Sequence, residues 1–143
     1  MEMPQHIWRC PTREAIDKLA IRFGLPNFSW MQDWEYQVSD HTRIDEFLTA
    51  YETEALSDDE KFTLMETVID SFEQLAGTGC DIAADLRWQR TISALDKNIS
   101  LHAYSVWYWC RLDAEHEDEV FRVTPFVRQV FARHKDYFFG PGS

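Results

Sequence analysis

Apolar residues recur at helical spacing along most of this chain. Ile16, Leu19, Ala20 and Phe23 stand at i, i+3, i+4 and i+7, which makes one apolar stripe. Thr12 suits the N-cap before it, Gly24 ends it and Pro26 blocks its resumption, so the pattern predicts a first helix from Thr12 to about Phe23. The aromatic stretch Phe28 to Tyr36 has no clean period and reads as a connector with at most a short helical turn. Ser39 or Asp40 can cap a second helix reaching about Thr53, with Ile44, Phe47, Leu48 and Tyr51 as its apolar stripe.

The third helix carries the clearest start signal. Ser57 and Glu60 have capping-box spacing, and Asp58 and Asp59 fall in the first turn, where the helix dipole favours anions. Phe62, Met65, Ile69, Phe72 and Ala76 line one face. Asp59, Glu66, Asp70 and Glu73 line the opposite one, which predicts a water-facing acidic side, and Gly77-Thr78-Gly79 ends the helix. A fourth helix is expected from Asp81 to Asp96, carrying Ala84, Trp88, Ile92 and Leu95.

Residues 101–123 admit two structures. Tyr104 to Cys110 has strong strand propensity and could pair with Val120 to Val123 as a short hairpin within 104–123. A central helix, apolar nearly all round, accounts for the same residues and suits helical neighbours better. Thr124-Pro125 marks a final helix start, and Val127, Val130, Phe131, His134 and Phe138 continue it towards the end. The expected fold is all-α: a single domain over 1–139, built as a bundle of five to six helices. Gly140-Pro141-Gly142-Ser143 reads as a vector-derived remnant.

Composition fits a folded core, since 45% of the 143 residues are hydrophobic and ten are Phe, six Trp and five Tyr. No apolar run approaches the roughly 20 residues that a spanning helix needs, and the N-terminus shows no basic-then-apolar leader, which predicts a cytoplasmic protein without a membrane segment. Cys10, Cys80 and Cys110 are odd in number and far apart, and are expected as buried thiols rather than disulfides or metal ligands.

Charge changes the picture most. The net charge is −11, and Asp33 to Glu73 alone holds 13 acidic residues against Arg43 and Lys61. Such a balance disfavours direct nucleic-acid binding, which rewards Lys and Arg, and suits a basic protein partner.

Catalytic patterns are missing. The five histidines form no His-Glu-x-x-His pair, and the acidic run around His116 puts the wrong residues at the glycine and final glutamate positions of an EF-hand. Gly77-Thr78-Gly79 lacks the lysine of a phosphate loop, and His102 and Cys110 are two helical turns apart. The expectation is therefore a non-enzymatic protein with no cofactor. It would be a small binding domain of the bacterial immunity or toxin-inhibitor kind, occluding a basic toxin or effector. Its partner-binding residues would be Trp30, Trp34, Asp45, Glu46, Glu52, Asp59, Glu66, Asp70 and Glu73, the tryptophans as anchors. Two alternatives stand beside it: a structural or adaptor homo-oligomer such as a homodimer, and a ligand sensor or enzyme with a pocket among Trp88, His102, Trp107 and Trp109.

Overall fold

The computed structural model describes residues 2–141, and among them all regular structure is helical. Eight α-helices occur there: α1 (Arg13–Phe23), α2 (Trp34–Gln37), α3 (Ile44–Thr53), α4 (Asp58–Gly77), α5 (Leu86–Lys97), α6 (Ile99–Cys110), α7 (Thr124–Arg133) and α8 (Lys135–Phe139). Four single 3-10 turns accompany them, at Gln5–Ile7, His41–Arg43, Ile82–Ala84 and Glu117–Glu119. The all-α class expected from the pattern holds, and the residues 104–110 that could have been a strand lie in α6. The expected five to six helices become eight, because the aromatic connector forms the short α2 and the last expected helix breaks at His134 into α7 and α8. No described helix is long and apolar enough to cross a membrane. The contacts group into two units, Cys10–Thr78 and Met1–Arg9 with Gly79–Ser143.

In the unit Cys10–Thr78, α4 is the central element, packed against α1, α2 and α3. Its start follows the capping box in full: Ser57 accepts from the Glu60 amide, and the Glu60 carboxylate accepts from the Ser57 amide. Ten residues of the helix are buried, including every position from Phe62 to Ile69. Leu19 and Phe23 of the α1 stripe and Ile44, Phe47 and Leu48 of the α3 stripe are buried, and both helices pack on α4. Each buried side chain of this size stabilises by roughly 1.5–3 kcal/mol. α1 begins where Thr12 accepts from the Ala15 amide and ends where Gly24 takes a left-handed φ of 64°, a conformation that suits glycine. The second expected helix is interrupted at its start, where Asp40 caps only the turn His41–Arg43 before α3 begins.

In the other unit α6 takes the central place, against α5, α7, α8 and the turn Gln5–Ile7. Two successive aspartate caps shorten the fourth expected helix: Asp81 closes the turn Ile82–Ala84 by accepting from the Ala83 amide, and Asp85 then starts α5 by accepting from that of Arg87. Thr124 departs from its expected capping role. It sits inside α7, and its buried hydroxyl donates to the Trp109 carbonyl and accepts from the Phe121 amide, tying α7 to the end of α6. The expected last helix breaks at His134, whose backbone is non-helical and whose ring nitrogen pairs with Asp96 beside Arg133. Arg128 donates to the carbonyls of Cys110 and Arg111, satisfying the C-terminal end of α6 with a cation that the helix dipole favours there. Trp107 meets Phe131, Phe138 and Phe139 in an aromatic cluster.

The cysteine expectation holds only at Cys110, a buried thiol whose pKa burial pushes up to about 12; Cys10 and Cys80 are exposed. Of the expected C-terminal remnant, Gly142 and Ser143 lie outside the described residues.

The capping box makes a direct test of how α4 is anchored. Ser57→Ala is expected to destabilise the protein by about 1 kcal/mol, read as a melting temperature lower by about 3 °C.

Candidate functional site

The polar residues of α4 fall into two rows, and both are occupied by the chain's own connector. Thr63, Thr67 and Ser71 repeat every fourth residue, as do Glu66, Asp70 and Gln74. Residues four apart share a face, so each row presents a line of polar groups along the helix. Against them lies the segment 35–41. Thr67 Oγ1 donates to the Glu35 carbonyl at 2.9 Å, and Ser71 Oγ accepts from the Asp40 amide at 3.0 Å. The Tyr36 hydroxyl donates to Glu66 Oε2 at 3.3 Å, and Ser39 Oγ donates to Asp70 Oδ2 at 2.5 Å. Gln74 completes the zipper, donating to Ser39 Oγ at 2.6 Å and accepting from the His41 amide at 3.3 Å.

This arrangement corrects the expectation of a water-facing acidic side on α4. Glu66 is only 1% exposed and Asp70 is half-buried, as are Asp59 and Glu73. The physical reason is that the connector lies over this side of α4: Thr67, Ser71 and Gln74 match its backbone groups, and the Tyr36 and Ser39 hydroxyls cover Glu66 and Asp70. Burial pushes the Asp70 carboxyl above the usual carboxylate range, against the opposing hydrogen bond from Ser39.

The other nominated residues divide as well. Asp45, Glu46 and Glu52 are exposed on α3, and Asp45, Thr49 and Glu52 follow one another at i, i+4 and i+7 on its outer side. Glu46 receives Arg43 at 2.7 Å and 2.9 Å, which holds its pKa below the ordinary value. The two tryptophans part company. Trp34 is 4% exposed, with its indole N–H on the Pro26 carbonyl at 2.7 Å, and is therefore core. Trp30 is 71% exposed and stacks on Phe28, itself 54% exposed, with ring centres 5.5 Å apart and planes 7° from parallel. Stacking holds the two rings against each other while leaving apolar surface of both in water.

Three residues near this stack were not singled out by sequence reasoning. Phe28 had no periodic context. Asp33 holds a left-handed φ of 51°, which an aspartate tolerates better than most residues. Glu35 is 7% exposed, and burial drives its pKa up, assisted by Asp33 and Asp70 and opposed by its own backbone amide. Asp33, Trp34 and Glu35 line a cavity of about 210 Å³ with Pro11, Arg13, Ile16, Asn27 and Met31. The Arg13 charge is held by Asp17 at 3.1 Å and by the Asn27 side chain. No group of three His, Cys, Asp or Glu able to hold a metal ion occurs among the described residues.

The aromatic-pocket alternative places its residues differently. Trp88 lines a cavity of about 200 Å³ with Ile92 and Phe126, whereas Trp107 lines another with Tyr108 and Arg111. His102 and Trp109 are buried. These two cavities do not bring the four residues together.

Two measurements test the geometry. Thr67→Val keeps the shape and removes the donor to Glu35, leaving a buried carbonyl unmatched; unfolding in denaturant should show a loss of about 1–3 kcal/mol. Glu35→Gln should act in the other direction. A carboxyl whose folded pKa is raised gives its full stabilising contribution below its unfolded pKa, and that contribution is lost as pH rises through the folded value. The melting temperature of Glu35→Gln should therefore exceed that of the parent at pH 7, with the gap closing as pH falls to about 4. A gap that widens on acidification would show that the buried carboxylate is stabilised by ionisation instead.

Comparisons with known protein families, with curated proteins and with solved structures give no match for this chain.

Proposed function

We propose that this chain is a protein-binding domain that captures a basic partner through the outer side of α3 and the Phe28–Trp30 stack. It would act as an inhibitor or immunity-type protein that occludes a cationic toxin or effector. The observation that carries this reading is the charge of one unit. Cys10–Thr78 holds fifteen carboxylates against five cations, a net of −10, out of −11 for the whole chain. Four of the five cations, Arg13, Lys18, Arg22 and Arg43, each pair with a carboxylate inside the same unit, with Asp17, Glu14, Glu54 and Glu46 respectively. Local cations are thus already engaged, and the negative field of the unit persists beyond them. A field of that sign speeds the approach of a basic protein and repels acidic ones.

An acidic field alone gives encounter without strong hold. The exposed Phe28–Trp30 stack supplies the apolar contact that interface hot spots require, and its rings are fixed in advance, which reduces the entropy lost on binding. Together these features supply charge for attraction and aromatic contact for hold. The reading no longer includes Trp34, Glu66 or Asp70 as contact residues, because the fold uses them.

The homo-oligomer alternative draws on the exposed apolar side chains Trp8, Ile21 and Leu86, and light scattering across a range of concentrations distinguishes it. A mass that grows with concentration would favour it.

The test of the proposal is charge reversal on α3. A partner recovered by affinity capture should be basic. Its affinity should fall at least about ten-fold for Asp45→Lys with Glu52→Lys, and should weaken steeply with added salt. Trp30→Ala should weaken it separately, by about 2 kcal/mol or more if the ring is a hot spot. Unchanged affinity in the α3 variant, or a captured partner of acidic character, would sink the proposal.

A further inference from the structure

The cavity beside the stack poses a problem that the fold leaves unsolved. Glu35 is buried in its wall, and its carboxylate accepts only from its own backbone amide; no hydrogen bond or ion pair from another described side chain reaches it. A carboxylate taken from water in this way is unfavourable unless a cation or several donors meet it. The nearby charges do not help, because Asp33 and Asp70 are of like sign and Arg13 is held by Asp17 and Asn27.

The geometry points to this cavity as a receptor for one guanidinium group, the arginine side chain of a basic partner, with Glu35 and Asp33 as its anionic end and Trp34, Met31 and Ile16 as its walls. The inference rests on the proposed capture of a basic protein and names the element of that protein the pocket reads. Size supports it. At about 210 Å³ the cavity is smaller than the roughly 300 Å³ at which pockets for whole small molecules begin, and suits a single side chain. Chemistry supports it too, since a planar guanidinium meets carboxylates through several donors at once and packs well on an aromatic face. Position is the third support: Met31 of the lining directly follows Trp30 and its sulfur accepts from the Phe28 amide at 3.3 Å, so an arginine entering the cavity belongs to a partner seated on the stack. Burial raises the pKa of Glu35, and a guanidinium beside it would act in the opposite direction by favouring the ionised form.

N-acetyl-arginine methylamide is small enough to probe the cavity without engaging the wider acidic surface. Titrated into the isotope-labelled full chain, it should shift the Trp34 indole N–H and the amides of Asp33 to Glu35 in a saturable manner, with a Kd on the order of a millimolar. The citrulline analogue, equal in shape and neutral, should bind at least about ten-fold more weakly. Glu35→Gln, which is expected to fold at least as stably as the parent, should weaken arginine binding at least about five-fold, and Asp33→Asn, which keeps a side chain tolerant of the left-handed backbone, should weaken it in the same direction. An equal response to citrulline, shifts spread over α3 without the Trp34 indole, or undiminished binding in both variants would overturn the pocket. Loss of the pocket with charge-dependent partner capture intact would leave the wider proposal standing, whereas loss of capture with arginine binding intact would remove the wider proposal and keep the pocket.

Discussion

The polar zipper between α4 and residues 35–41 is the constraint on which the unit Cys10–Thr78 depends. A helix buried over most of its length ordinarily carries apolar residues throughout. α4 instead places hydroxyls, carboxylates and an amide at four-residue intervals and matches them to one short segment. Each polar group inside needs its partner, because an unmatched one costs more than a matched one contributes. The register of the connector is consequently determined: moving it by one residue would leave Thr67, Ser71 and Asp70 without their present partners at once. That fixed register sets Trp34 into the core, turns Asp33 left-handed, and brings Glu35 to the cavity wall.

What the zipper consumes also decides which side chains remain at the surface. Glu66 and Asp70 are drawn inward, so the exposed carboxylates of the unit are Glu14 and Asp17 on α1, Asp33 in the connector, Asp45, Glu46 and Glu52 on α3, and Asp58 in the first turn of α4. The connector's aromatics are divided by the same event. Trp34 enters the core, and Phe28 with Trp30 stays outside as a stacked pair. The exposed stack and the internal scaffold are thus two outcomes of one packing arrangement.

Much of the fold was legible in the sequence. Thr12, Ser57 and Gly24 marked helix ends by chemistry that acts within a few residues, and the i, i+3, i+4 stripes of α1 and α3 marked the buried sides. Less was legible where a side chain's partner is distant in the chain. Thr124 looks like a cap beside Pro125, yet its hydroxyl belongs to Trp109, fifteen residues earlier. Asp81 and Asp85 each cap locally, and only their succession delays α5. The candidate site was the least legible part. Glu66 stands four residues after Phe62 and Asp70 directly follows Ile69, on the flank of the apolar stripe, where an acidic side chain normally reaches water. Nothing in the local pattern says that Tyr36 and Ser39, some thirty residues earlier, will cover it. Glu35 carried no signal either, since one glutamate in an aperiodic aromatic stretch cannot be told from any other until its burial is seen.

The chemistry of the zipper separates two kinds of adhesion in one small unit. Four of its six contacts involve hydroxyl, amide or carbonyl groups without an ionic partner, and none is a pair of opposite full charges. Mobile ions weaken attraction between full charges across water far more than they disturb sheltered neutral contacts. Under the proposed capture, concentrated electrolyte would release a cationic partner while the connector stays clasped, leaving the fold ready for another round.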